Sequence, residues 1–239
     1  MDLKTKLKES LQEELSHQNI ANNETIQWII QRSFIWMWVI TAIVFVIWYY
    51  IVWLIKSGQI EASQYTIAFW VSAILWLWLV FAITWWYEKM KYSTLSILAI
   101  IFSIVEWVWL AGVLAAYNAA SVINAFAGAA LLFIIMAVYG YVTKSDLTKL
   151  WTILLVWLIA IIILSLINVF FIHSNWFDLV LSIVGLLIFL WLVAFDLQTL
   201  KLMATTWDKR LEIVFWVGLY LDFINIFLTL LRIFGSSDN

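Results

Sequence analysis

Between residues 33 and 234 the chain is a series of seven apolar runs, at about 33–55, 66–87, 94–116, 120–142, 149–172, 177–200 and 211–234. Each is near the ~20 residues that a bilayer core requires. The breaks between them (KSGQIEASQ, YEKMKYS, YNAAS, TKSDLTK, HSNW and KLMATTWDKR) are short and polar. A soluble domain has roughly half apolar and a quarter charged residues; this chain has 66% and 12%. Such an excess cannot be folded into one soluble core. The expected fold is all-α: a polytopic membrane protein with seven transmembrane helices in a single bundle over 32–235, and a short tail at 236–239. The lipid bilayer is its expected partner.

Residues 1–31 are polar, with Leu3, Leu7, Leu11 and Leu15 at helical spacing. They carry no signal-peptide pattern and are expected to form an amphipathic helix on the membrane surface, or else a partner-binding helix. Orientation follows from the loop cations. If the N-terminus is inside, eleven Lys and Arg residues fall on the cytoplasmic side and only Lys56 and Arg232 on the other. The N-terminus is therefore expected in the cytoplasm. The net charge of −2 suggests no nucleic-acid partner. Absent cysteine excludes disulfide and thiol chemistry. Absent proline and the 18 tryptophans are unusual for a membrane protein and suggest an unusual genome or a designed sequence. The tryptophan pairs 36/38, 76/78 and 107/109 put neighbours on different helix faces, as expected of lipid-facing or packing groups.

Three carboxylates lie deep in these runs: Glu106, Asp196 and Asp222. Even gentle insertion scales charge several kcal/mol for one, so each needs a reason. The helical rise of about 1.5 Å per residue lets all three meet at one level, between midplane and cytoplasmic face. A short loop joins the sixth and seventh runs, which makes Asp196 and Asp222 the expected pair. Stripes of small and polar residues mark the same faces: Gly218, Asp222, Asn225 and Thr229 on the seventh, and Ala99, Ser103, Glu106 and Leu110 on the third. Ser182 and Gly185 share the side of Asp196. Small residues let helices approach, and polar ones bond across the contact.

Two carboxylates in contact share a proton, and a protonated pair is a neutral hydrogen-bonded clasp. Without the proton they repel and offer oxygens to a hard cation such as Ca²⁺. The plainer alternative is a permanently protonated acid bonded to a neighbour such as Asn225. Asp178 and His173, at the outer boundary, are read as solvated surface groups.

Several stretches resemble the Bax inhibitor family of seven-helix membrane proteins. LYLDFINIFLTLLRIFG (219–235) is similar to that family's last helix, and GLLIFLWLVAFDLQTLK (185–201) to its sixth. YGYVTKSDLTKLWTILL (139–155), SLINVFF (165–171) and SIVEWVWLAGVLAAY (103–117) resemble further segments. The resemblance covers about 94–235. It implies a passive, pH-sensitive Ca²⁺ leak, with Asp196 and Asp222 as the pH-sensing gate and Ca²⁺ site. Glu106, Ser103, Asn225 and Thr229 would support them.

A basic latch after the second helix would fall on Lys89. An acid that some bacterial members carry in the second helix is replaced, counting without gaps, by Trp78, and Trp107 and Trp109 fill positions expected to be small. The alternative is a non-conducting or designed analogue of the fold, or a regulatory interaction protein of the cell-death-suppressor type. The last run holds no mid-span lysine for a retinal Schiff base. No Ser–Lys pair, His-rich metal motif or paired catalytic aspartates in a Gly-rich setting appears, so no enzyme activity is expected. No cofactor is expected beyond Ca²⁺ as permeant or bound ion, with protons as the other ligand. A bacterial inner membrane or a eukaryotic endomembrane is the expected location.

Overall fold

The computed structural model describes residues 24, 26–43, 46, 49–54, 57–59, 62–203 and 208–236. The expected surface helix of the N-terminal segment lies almost wholly outside them. Seven helices are long and apolar enough to cross a membrane: α1 (Ile26–Ile43), α2 (Ala62–Trp86), α3 (Tyr92–Ala115), α4 (Ala119–Val142), α5 (Trp151–Ile167), α6 (Asn175–Met203) and α7 (Arg210–Phe234). Among the described residues there is no strand. Helix is the only open-ended way to satisfy every backbone group in hydrocarbon, and the runs therefore set the helices. The first differs most from expectation, since it is helical from Ile26, before the apolar run begins.

The helices surround α7. Its buried set, from Leu211 through Phe223 to Leu231, covers nearly every side, whereas Leu154 alone is buried on α5. This distribution explains the sequence. The α5 run is uniformly aliphatic because almost all of it meets lipid, and α7 can carry glycine, aspartate and asparagine because it meets protein. Aromatic packing fixes the centre: Phe223 of α7 makes edge contacts with Trp38, Phe126 and Phe133, at centroid distances of 5.5, 5.2 and 5.9 Å. Most other tryptophans face outward, Trp78 and Trp85 among them. Trp76 and Trp109 instead stack at 5.4 Å between α2 and α3.

Polar side chains tie down the lysine-rich end, which the charge bias leads us to expect on the cytoplasmic side. Gln198 of α6 donates to the Ser145 carbonyl (2.7 Å) and accepts from the Leu147 amide (2.8 Å), holding the loop between α4 and α5. Arg210 donates from Nη1 to the carbonyl of Glu88 (2.6 Å), just beyond α2. Asp208 positions this arginine, accepting from its backbone N–H and its Nε at 2.9 Å each.

The bonds from Arg210 hold the Asp208 carboxyl below the usual carboxylate range. A depressed pKa contributes stability that is present above the ordinary value of about 3.9 and lost as pH falls below it. We expect Asp208→Ala to destabilise by about 1 kcal/mol, because a free donor at the start of α7 loses its acceptor. The difference from wild type should shrink in unfolding titrations as pH falls below the ordinary carboxylate range.

At the opposite end Asn118 caps α4, accepting from Ser121 N at 2.8 Å. It also donates from Nδ2 to the Ser236 carbonyl at 3.1 Å, which fixes the exit of α7. The fifth helix closes in a π-turn, Asn168–Ile172, and ends at the left-handed His173. The Asn168 side chain and the Ser174 backbone bond reciprocally across that turn, at 3.1 and 3.0 Å.

Candidate functional site

Asp196 and Asp222 come together. Their carboxyl groups are within hydrogen-bonding reach of each other. Two ionised carboxylates offer no donor, so this contact is a hydrogen bond only when a proton lies between them. The sequence provides the room through Gly218, one turn before Asp222, where an added Cβ would lie 3.3 Å from Asp196 Oδ2. Asp222 is only 7% exposed, and its Oδ2 is buried with no donor bonded to it.

The pair lies in the wall of a cavity of about 510 Å³. Four helices line it: α2 with Val80 and Thr84, α5 with Trp151 and Leu155, α6 with Asp196 and Thr199, and α7 with Gly218 and Asp222, together with Tyr87 just after α2. A second cavity of about 370 Å³ lies toward the outer end, with Ser165, Ser182, Gly185, Asn225 and Thr229 in its walls. Leu158 borders both. The expected α7 stripe thus runs from one cavity into the other, Gly218 and Asp222 on the inner side and Asn225 and Thr229 on the outer. Thr229 Oγ1 donates to the Asn225 carbonyl at 2.6 Å.

Glu106 departs from expectation. It is fully buried, both carboxyl oxygens lack a partner among the described residues, and it lies near Tyr220 and outside the walls of the aspartates' cavity. Tyr220 and Asp222 are two residues apart on α7, about 200° around the helix, so Glu106 and the pair occupy different sides of the central helix. The α3 stripe does face protein, with Ala99, Ser103, Glu106 and Leu110 all buried, but Ser103 Oγ only donates back to the Ala99 carbonyl at 2.9 Å.

An unpartnered buried polar group costs about 1–3 kcal/mol. Glu106→Leu, similar in volume, is therefore expected to raise stability by at least about 1 kcal/mol. Guanidinium or SDS unfolding of purified protein measures this, and the pH response of the aspartate pair should remain.

Lys89 is exposed and makes no ion pair among the described residues. The cation that reaches the end of α2 is Arg210. On α2 the groups facing the pair are Val80 and Thr84, while Trp78 is 54% exposed toward lipid; no α2 carboxylate lines the cavity. Asp178 is less solvated than expected, because it borders the outer cavity and pairs with Arg232 at 3.7 Å. His173 is exposed. Among the described residues no three His, Cys, Asp or Glu side chains cluster for a metal. A Ca²⁺ at the aspartate pair would take most of its six to eight oxygens from carbonyls or water.

A second acidic contact is absent from the expectations. Glu212, in the first turn of α7, is 1% exposed and accepts from Arg32 Nε of α1 at 2.8 Å. Arg32 also lies near the Tyr92 hydroxyl and 4.8 Å over the Trp28 ring. Ser33 Oγ donates to the Glu212 carbonyl at 3.2 Å. The signal was present as one acid at the start of a run and one base near the start of another, but charges at run ends normally reach water.

Comparison with known proteins agrees with this architecture. Residues 26–239 match the family described as Inhibitor of apoptosis-promoting Bax1 (Bax1-I). The chain is 38% identical over 167 residues to an uncharacterized protein of Borreliella burgdorferi, covering 67% of this chain and 72% of that one. It is 35% identical over 156 residues to the inner membrane protein YbhL of Escherichia coli K12, covering 62% and 66%. A Deinococcus radiodurans protein is 33% identical over 165 residues, covering 67% and 71%. With seven apolar helices and relatives named as membrane proteins, this is an integral multi-pass membrane protein, and it belongs to the Bax inhibitor family.

Proposed function

We propose that the protein is a passive, pH-sensitive leak for Ca²⁺, gated by Asp196 and Asp222. The observation that carries this reading is the pair of carboxyls in contact in the wall of the inner cavity, with a second cavity approaching from the other end of the bundle and Leu158 bordering both. With one shared proton the pair carries a single negative charge within a hydrogen bond and holds α6 to α7. Loss of that proton leaves two like charges in contact inside a low-dielectric wall. Their repulsion separates the helices, and the freed oxygens suit a hard cation. Flux is then small at lower pH and rises as pH increases. Protons and Ca²⁺ compete for the same oxygens.

The test is Ca²⁺ entry into dye-loaded liposomes containing wild type, Asp196→Asn or Asp222→Asn, at pH 6 and pH 8. Asparagine cannot ionise, so each variant should lose the pH dependence. A non-conducting member of the family is the second reading, favoured by the absence of any α2 carboxylate at the cavity. Wild-type flux equal to that of empty liposomes at both pH values would decide for it.

A further inference from the structure

A third cavity, about 340 Å³, opens between α1 and α4 and has no part in the aspartate site. Its walls include Ile30, Phe34 and Trp38 of α1, and Ala137, Val138 and Tyr141 of α4. The α1 residues recur every four positions, so they form one stripe about 12 Å long along the helix. Every lining side chain is apolar except the tyrosine, and none is a carboxylate. Val138 is 55% exposed, and the slot opens toward the bilayer.

The inner end of this slot is cationic. Lys201 of α6 lies one turn beyond Leu197, which itself borders the slot. Its Nζ donates to the Tyr141 carbonyl at 3.3 Å and lies 5.0 Å from the Tyr141 ring. An ammonium has three donors, which leaves two for a further partner. Lys144 is exposed in the loop that Gln198 holds against the same end of α6. The loop's one acid, Asp146, is already bonded to the Thr148 amide at 3.0 Å.

We infer that this slot binds one phospholipid with an anionic headgroup. An acyl chain lies between α1 and α4, and the phosphate sits at Lys201 and Lys144. An apolar slot alone would accept any lipid. The two lysines at its mouth supply the selectivity, because a basic residue near the surface favours anionic lipid by about fivefold.

The experiment uses full-length protein in liposomes containing traces of phosphatidylglycerol or phosphatidylcholine, each with a photoreactive group in one acyl chain. Labelled peptides are mapped by mass spectrometry. Phosphatidylglycerol should label 30–38 and 134–141 at least about fivefold more than phosphatidylcholine. Lys201→Gln and Lys144→Gln should each reduce that preference by about fivefold. Val138→Trp, which fills the slot without touching the lysines, should abolish labelling there and leave labelling of lipid-facing α5 unchanged. Equal labelling by the two lipids would overturn the inference. So would labelling of α5 as strong as that of the slot, or a covalent dimer joined through 134–141 in place of lipid adducts.

Discussion

Arg32→Met should destabilise the protein by about 3 kcal/mol, and the double variant Arg32→Met, Glu212→Met should recover most of that loss. Removing one member of a buried ion pair strands the other, at a cost of about 3–5 kcal/mol. Here the stranded group is Glu212, 1% exposed. The expected value sits at the low end because the Arg32 side chain is 40% exposed and water partly screens the contact. Replacing both partners by apolar groups of similar volume is often neutral. SDS titration of the two single variants and the double variant gives the coupling directly. Additive losses would mean that the contact contributes nothing beyond its two side chains. Arg32 also reaches Tyr92, so its loss should loosen α1 from both α3 and α7.

Gly140→Ala is the second large effect. A Cβ at this position would come within 2.7 Å of Ala194 Cα and 2.8 Å of its carbonyl carbon, and nearer still to the carbonyl oxygen. All three are backbone atoms, so no side chain can rotate away and α4 must separate from α6. Overpacking of this kind costs about 1–3 kcal/mol, and the upper part of that range is expected. Ala194 lies two residues before Asp196 on α6, so the displacement should also reach the aspartate pair. The variant should melt earlier in detergent and show a weaker pH response in any assay that reads the pair. Wild-type stability would contradict backbone-on-backbone packing of α4 and α6.

The helix positions were legible because bilayer thickness fixes the length of each run, and the second to seventh helices fall within a few residues of their apolar stretches, whereas the first begins earlier, at Ile26. The Asp196–Asp222 contact was legible for a related reason. Depth along two sequential helices is a matter of counting, and the Gly218–Asp222–Asn225–Thr229 stripe marked which face of α7 met protein.

Counting along a helix does not say which neighbour stands opposite. Glu106 has the right depth and a buried face, but it meets the Tyr220 side of α7. Arg32 and Glu212 were hidden for a different reason. Each lies near the end of its run, where charges usually reach water, and only the bundle shows that Glu212 is covered. Lys89 illustrates the same limit: it stands in the turn just after α2, but it is exposed and makes no ion pair among the described residues. Arg210, at the start of α7, is the cation bonded to the backbone there, through the Glu88 carbonyl.

The central claim is that Asp196 and Asp222 act as one proton-controlled element. Its most direct test is the Ca²⁺ flux ratio between pH 8 and pH 6, measured in liposomes for wild type, Asp196→Asn and Asp222→Asn. Wild type should show higher flux at pH 8, and both variants should give a ratio near one. A wild-type ratio of one, or a pH response that persists in both asparagine variants, would contradict it.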